Sequence, residues 1–290
     1  MVGSMAFIGV TDNVVVLLAE SMGLWQFHFV RTVLMLPLIV GLSLMGLGGL
    51  RPRRPGPVAL RSLLVAVSML FYFAALAIMP IAQALAGLFT SPIFVLLITA
   101  LVMKQPIGPW RILAVLIGFC GILCVLQPTP SDFDYRTLLP VAGGFFYAIS
   151  AVYTRSHCVE ESTVSLLAGV ALALGLAGAL GVLVLAIGGA AGAEGFVTRG
   201  WVWDMRPAAP WVVAQAVGST AGVFMLIKAY QVGETSYAAI FEYSVMIFGP
   251  LFAWYAFGQT VGIMQVIGIG LIVAAGGLLG WRSSRVMEEK

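Results

Sequence analysis

Long apolar stretches alternate along the chain with short breaks rich in proline, glycine and charge. Each stretch has about 20 residues, enough for a helix to cross the hydrocarbon core of a bilayer. The longest break is the loop at 189–210, and the others are shorter basic or polar connectors. The pattern predicts ten membrane-spanning helices, at about residues 4–20, 24–47, 58–79, 82–103, 109–127, 137–155, 163–188, 208–230, 235–257 and 260–281.

The composition agrees with lipid as the solvent of this chain. Hydrophobic residues make up 61% of the sequence, charged residues only 9%, and the mean hydropathy is +1.04. Soluble domains carry about 25% charged residues. The sequence therefore predicts an all-α integral membrane protein whose partner is the lipid bilayer. No basic run interleaved with aromatics indicates nucleic-acid binding, and the first basic residue, Arg31, comes too late for a secretory signal.

The lysines and arginines predict how the chain is oriented. With ten spans both termini lie on one side, and eleven of the 15 basic residues, Arg61 among them, fall on that side. The other side receives Arg31, Arg136, Arg199 and Arg206. Because basic residues favour the cytoplasmic side, we expect both termini in the cytoplasm and the protein in the cell (inner) membrane.

An alignment of the chain with itself indicates an internal repeat. A shift of 154 residues aligns spans three to five with spans eight to ten without a gap, so that Ala75 meets Ala229 and Gln105 meets Gln259. Five spans per half is an odd number, so the halves have opposite orientations. We therefore predict two inverted five-helix repeats, at 1–128 and 129–290, with a site between them near mid-membrane.

The segment 69–128 carries a recognisable pattern. Its features are "LFYFAAL" in span three and Pro92 in span four. Two further features lie upstream: a basic loop before span three and Arg31 inside span two. The chain resembles the EamA-repeat family of the drug/metabolite transporter superfamily, which implies two five-helix repeats and transport of small metabolites. It departs from the family at Gln105 and Gln259, where a glutamate is usual.

The repeat and the resemblance together predict a secondary transporter that works by alternating access on a small-molecule substrate. Export of amino acids, including aromatic or neutral ones, is favoured, because tyrosines, hydroxyls and few charges suit a neutral zwitterion. The alternative is a carrier or exchanger of a nucleoside-like cation such as S-adenosylmethionine, to which Asp12 and Glu242 would supply charge.

Ionisable residues inside a span are costly and mark candidate sites. Asp12 in span one either meets a cargo ammonium or a proton, or anchors a structural hydrogen bond. Arg31, one turn after His28, either clamps a carboxylate or pairs with Asp12, and the pairing is favoured. Glu242 in span nine is either a proton or cation site or a hydrogen-bond acceptor, and Pro250 allows a bend beyond it.

Neutral polar residues complete the candidate site. A tyrosine deep inside a span needs a polar partner or water and therefore often faces a cavity, whereas Tyr153 and Tyr230, near span ends, are expected at the membrane interface. The further candidates for binding substrate are Tyr72, Gln83, Thr90, Ser91, Tyr147, Tyr243 and Ser244.

Other classes of protein find little support in the sequence. The two histidines, His28 and His157, lie in separate regions, no HExxH motif occurs and the acids do not cluster, so neither an enzyme nor a metal site is predicted. No phosphate-binding glycine loop indicates a primary pump, and no cofactor is expected. Inverted halves favour a carrier over a channel. The three cysteines are interpreted as packing residues, and a monomer is favoured over an oligomer.

Overall fold

A computed structural model describes residues 1–76, 81–127, 136, 138–188, 195–258 and 262–288. These residues form helices joined by short turns and contain no β-strand. The α-helices are α1 (Val2–Ser21), α2 (Leu24–Leu44), α3 (Pro55–Leu76), α4 (Ile81–Leu88), α5 (Ser91–Leu97), α6 (Pro109–Leu126), α7 (Leu138–His157), α8 (Thr163–Ile187), α9 (Ala209–Val232), α10 (Thr235–Phe241), α11 (Val245–Phe257) and α12 (Ile263–Glu288).

The described helices confirm the all-helical membrane architecture. Eight helical segments are long and apolar enough to cross a bilayer, and Ile263–Leu278 of α12 is a further apolar helix. The helix α7 lies where the sixth span is predicted and falls outside that set. Ten crossings in an inverted arrangement therefore remain a prediction.

Two of the membrane segments are interrupted. In the first, α4 ends at Leu88, a turn follows, and α5 begins at Ser91 with Pro92 in its first turn before a π-helical stretch at Ile98–Val102. In the second, a 3₁₀ turn at Glu242–Ser244 separates α10 from α11. Pro250 lies within α11, so the break in this segment occurs at the carboxylate and not at the proline.

The helices pack in a pattern that survives exchange of the two halves of the chain. Helix α1 packs on α9 as α7 packs on α3, and α1 packs on α11 as α7 packs on α4 and α5. Likewise α2 contacts α9 as α8 contacts α3, while α2–α8 and α6–α12 each join a helix to its own counterpart. Helices from both halves of the chain therefore pack together at the centre of the bundle.

Glycines bring some of these helices into backbone contact. A Cβ added at Gly9 of α1 would lie 2.9 Å from the backbone nitrogen of Gly249 in α11. The side-chain Nδ2 of Asn13 donates to the Gly249 carbonyl at 3.1 Å across the same contact. Gly121 of α6 and Gly268 of α12 approach each other in the same way. Close packing of small residues is a common means of helix association in membranes.

Candidate functional site

A cavity of about 510 Å³ lies at the centre of the bundle. Every α-helix except α10 contributes to its wall, and so does the 3₁₀ turn at Glu242. The wall is mostly apolar, with polar side chains gathered at particular places. The volume lies in the range of about 300–1,000 Å³ that is usual for sites binding drug-sized molecules.

Glu242 is held in the wall by two tyrosines from other helices. Glu242 is the first residue of the 3₁₀ turn after α10 and is only 3% exposed. The Tyr147 hydroxyl donates to Oε1 at 2.7 Å, and the Tyr230 hydroxyl donates to the same oxygen at 2.6 Å. Hydrogen bonds to a charged acceptor are stronger than neutral ones. This carboxylate is therefore both a hydrogen-bond acceptor and part of the cavity wall.

The expectation that Tyr230 lies at the membrane interface is wrong. Helix α9 continues to Val232, and Tyr230 is buried within it. Its hydroxyl finds its polar partner in Glu242 rather than in the headgroup layer.

Arg61 also lies elsewhere than expected. The sequence counts it among the basic residues of the cytoplasmic side, but α3 begins at Pro55 and carries Arg61 into the bundle. The side chain is 5% exposed and lines the cavity. Its Nε donates to Thr154 Oγ1 at 3.1 Å, and its Nη1 lies 3.5 Å from the Leu166 carbonyl.

Asp12 and Arg31 line the cavity without forming the predicted pair. In the described part of the chain, no ion pair within 4 Å joins them. The Arg31 guanidinium instead contacts His28 Nδ1 at 3.2 Å and lies 4.9 Å from the centre of the Phe27 ring. Its Nε is buried without a hydrogen-bond partner. The two charges attract each other across a distance, and the cavity leaves both side chains available to a ligand.

Helix α3 runs along the cavity and carries a polar residue near each of its two ends. Arg61 and Tyr72 are eleven residues apart, which corresponds to about 16 Å along a helix. Arg61 binds Thr154, and Tyr72 packs in the same cluster as Val14 and Phe27. We call the two groups the Arg61 end (Arg61 and Thr154) and the Asp12 end (Asp12, Arg31 and Tyr72).

Six of the ten residues proposed from the sequence lie in the cavity wall: Asp12, Arg31, Tyr72, Ser91, Tyr147 and Glu242. The Gln83 side chain lies outside the described residues. Thr90 and Ser244 are not among the described wall residues, and each donates to a carbonyl three residues earlier, of Gly87 and Phe241 respectively. Tyr243 is fully buried with its ring on Gly118 of α6, because adjacent residues of the 3₁₀ turn point in different directions.

The structure adds polar wall residues that the sequence reasoning missed: Thr11, Asn13, Arg61, Ser150, Thr154, Gln215, Ser219, Tyr230 and Gln265. A signal for Arg61 exists in the sequence. Arg61, Val65, Met69 and Tyr72 recur at helical spacing and all line the cavity. For metal binding, the residues that the structure describes contain no group of three or more His, Cys, Asp or Glu that could hold an ion.

Apolar helices around a central cavity with polar ends define a multi-pass membrane protein suited to carrying a solute. The sequence profile of the EamA-like transporter family matches residues 1–127 and 137–280. The chain therefore belongs to the EamA-like transporter family, within the drug/metabolite transporter superfamily, and is a membrane transporter. The family resemblance seen in the sequence is confirmed.

Similar proteins include other transporters. The chain is 29% identical over 262 residues to a riboflavin transporter of Rhizobium johnstonii, covering 89% of this chain and 79% of that protein. It is 22% identical over 264 residues to an S-adenosylmethionine uptake transporter of Rickettsia prowazekii, covering 90% and 83%. A solved crystal structure shares the fold, with a TM-score of 0.80 at 17% identity over 98% of this chain and 97% of that one.

Proposed function

We propose that the protein carries a neutral, ring-containing metabolite with polar groups at both ends, of which riboflavin is the type. It works by alternating access in the inner membrane with both termini in the cytoplasm. The observation that carries this proposal is the central cavity, whose wall is largely apolar and whose two polar ends lie about 16 Å apart along α3.

The shape of the cavity favours an elongated amphipathic cargo. The wall contains aromatic side chains that offer flat surfaces to a ring system: Tyr72, Phe73, Phe89, Tyr147 and Phe196. Aromatic rings pack well against one another in offset or edge-to-face arrangements. A free amino acid would fill only part of about 510 Å³, so the cavity supports a flavin-like cargo better than the amino-acid export predicted from the sequence.

The charges of the wall favour a neutral cargo. Asp12 and Glu242 carry carboxylates, and Arg31 and Arg61 carry guanidinium groups, so two acids face two bases. A cargo with a net charge would disturb this balance, and its charge would lose hydration on entering the cavity, which costs free energy. S-adenosylmethionine is the second candidate, since a relative that covers most of the chain transports it.

The packing of the helices supports alternating access. Contacts are preserved when the two halves are exchanged, as described for α1 on α9 and α7 on α3. Two halves related in this way can exchange conformations, so that a cavity between them opens first to one face and then to the other.

Counter-flow in proteoliposomes tests the proposal. Vesicles are preloaded with unlabelled riboflavin, S-adenosylmethionine or a mixture of neutral amino acids, and each labelled compound is then added outside. Labelled riboflavin should accumulate transiently in riboflavin-loaded vesicles and remain low in protein-free vesicles. Counter-flow confined to S-adenosylmethionine or to amino acids would contradict the proposal, and flux without saturation or counter-flow would indicate a channel.

A matched pair of variants tests whether transport depends on the cavity. Glu242→Gln keeps the shape but removes the charge that two tyrosine hydroxyls bind, and we expect about a tenfold loss of riboflavin counter-flow. Glu160→Gln makes the same change at an exposed position and should leave transport unaltered. Equal rates in both variants would show that Glu242 takes no part in transport.

A further inference from the structure

Arg61 is a buried cation without a carboxylate partner. Its side chain is 5% exposed, and within the described residues no Asp or Glu lies within 4 Å of it. Removing a guanidinium from water costs free energy that neutral partners repay only in part. The cavity is thus left with a positive site whose full compensation must come from elsewhere.

Neutral partners orient the Arg61 guanidinium while leaving donor capacity free. Thr154 Oγ1 accepts a hydrogen bond from Arg61 Nε at 3.1 Å and donates one to the Ser150 carbonyl at 2.7 Å. The Leu166 carbonyl lies 3.5 Å from Nη1, which is at the limit of a hydrogen bond. A guanidinium has five N–H donors, more than these two acceptors use, and Arg61 lies in the cavity wall.

The Glu242 carboxylate does not neutralise Arg61 by direct contact. Glu242 Oε1 accepts two hydrogen bonds, one from Tyr147 and one from Tyr230. Arg61 instead binds Thr154 of α7 and approaches the Leu166 carbonyl of α8. The hydrogen-bond partners of Arg61 on these two helices are therefore neutral oxygens.

We propose that Arg61 donates hydrogen bonds to an electron-rich oxygen of the cargo, a carbonyl in a neutral ring, and so sets the charge selectivity of the carrier. The same positive charge repels a cationic group brought to this end of the cavity. This inference rests on the proposed function, because it requires a neutral cargo with carbonyl oxygens. It makes Arg61 the residue that favours riboflavin over S-adenosylmethionine.

Binding measured on the purified full-length protein in detergent tests this role. Riboflavin affinity is followed by quenching of flavin fluorescence, and S-adenosylmethionine affinity by equilibrium binding of the labelled compound. Arg61→Gln should raise the Kd for riboflavin about 10- to 100-fold, the range expected for a hydrogen bond from a charged donor. The Kd for S-adenosylmethionine should stay unchanged or fall.

Two milder variants and one control distinguish the proposed role of Arg61 in binding from a purely structural role. Arg61→Lys keeps the charge but loses the planar fork, so it should retain part of the selectivity for riboflavin. Thr154→Val removes the acceptor that orients Nε and should weaken riboflavin binding about threefold. Arg53→Gln, at an exposed position, should change neither Kd. Size-exclusion profiles and thermal unfolding confirm that each variant is folded.

The readout is the ratio of the two Kd values, which general damage to the fold would not shift in one direction. If the wild-type protein binds riboflavin and both Arg61→Gln and Arg61→Lys keep the wild-type ratio of Kd values, the inference is wrong and the proposed function stands. If Arg61→Gln does not fold, Arg61→Lys and Thr154→Val decide by the same ratio. A wild-type protein that does not bind riboflavin overturns the proposed function and this inference together.

Discussion

Two buried glutamines, one at each face of the bundle, hold the connecting loops in different ways. Gln26, at the start of α2, exchanges two hydrogen bonds with a single loop residue: its Nε2 donates to the Val202 carbonyl at 2.7 Å, and its Oε1 accepts from the Val202 N–H at 2.8 Å. Gln231, at the end of α9, donates to the carbonyls of Cys158 and Glu161 and accepts from the Thr163 hydroxyl.

The surroundings of the two glutamines extend this difference. At the Gln231 face, the Glu161 carboxylate also accepts from the backbone N–H groups of Arg53 and Arg54, at 2.9 and 2.7 Å. Three segments of the chain are thus joined there: the α2–α3 connection, the α7–α8 connection and the end of α9. At the Gln26 face, one loop lies against the turn between α1 and α2 and places Phe196 in the cavity wall.

Because of this difference, we expect opening of the two faces to require different amounts of free energy. Opening the Gln26 face releases a single loop, which hydrogen bonds from the side chains of Trp25, Gln26 and Arg199 hold in place, whereas opening the Gln231 face separates three segments. Local opening favours regions with fewer buried contacts. We expect the Gln26 face to respond to mutation mainly through access to the cavity, and the Gln231 face mainly through stability.

Gln231→Leu should have the largest effect. The substitution leaves the Thr163 hydroxyl and two backbone carbonyls without their partner, and each unsatisfied buried group costs about 1–3 kcal/mol. Because some of these groups can turn to water, we expect a total loss of about 2–4 kcal/mol, seen as a lower midpoint of thermal unfolding in detergent. Gln105→Leu, at an exposed position, is the control, and an equal midpoint in both variants would remove the distinction between the faces.

Gln26→Leu should lower stability less and change access more. It breaks two hydrogen bonds to one residue, for a loss of about 1–2 kcal/mol. With Phe196→Cys as a reporter in a background without the native cysteines, a membrane-impermeant maleimide added to intact cells should react several times faster once Gln26 is changed. Gln231→Leu in the same background should leave the rate unaltered. Equal acceleration by both substitutions would mean that the faces open together.

Much of the fold was predictable because the length of an apolar stretch decides whether it crosses a membrane. Helical segments occupy the positions predicted for the spans to within three residues, except that α12 continues to Glu288 beyond the predicted end at 281. The inward faces were harder to predict. Helices that are apolar on all sides carry no polar stripe to mark which face meets the core, so Glu242 could be singled out by its charge while its neighbour Tyr243 could not be told apart from a wall residue.

Residues near helix ends account for the other errors. A basic residue near a span end is usually a loop charge, so the sequence assigned Arg61 to the cytoplasmic surface. The predicted third span already contains Arg61, and the structure shows that its side chain is buried in the cavity wall. Tyr230 is similar, since its partner Glu242 lies twelve residues away in another segment, and no local pattern links the two.

The smallest expected effect concerns Cys158, which reports on the Gln231 face alone. It lies just beyond the end of α7, its thiol is buried, and burial raises the pKa of Cys158 above the ordinary value for a thiol. The thiolate is the reactive form, so alkylation in a background without Cys120 and Cys124 should be slow at neutral pH and should accelerate as the pH rises. Gln231→Leu should expose the thiol, lower this pKa towards the ordinary value and shift the rate profile to lower pH. Gln26→Leu should leave the profile in place, and a shift of similar size in that variant would show that a change at one face reaches the other.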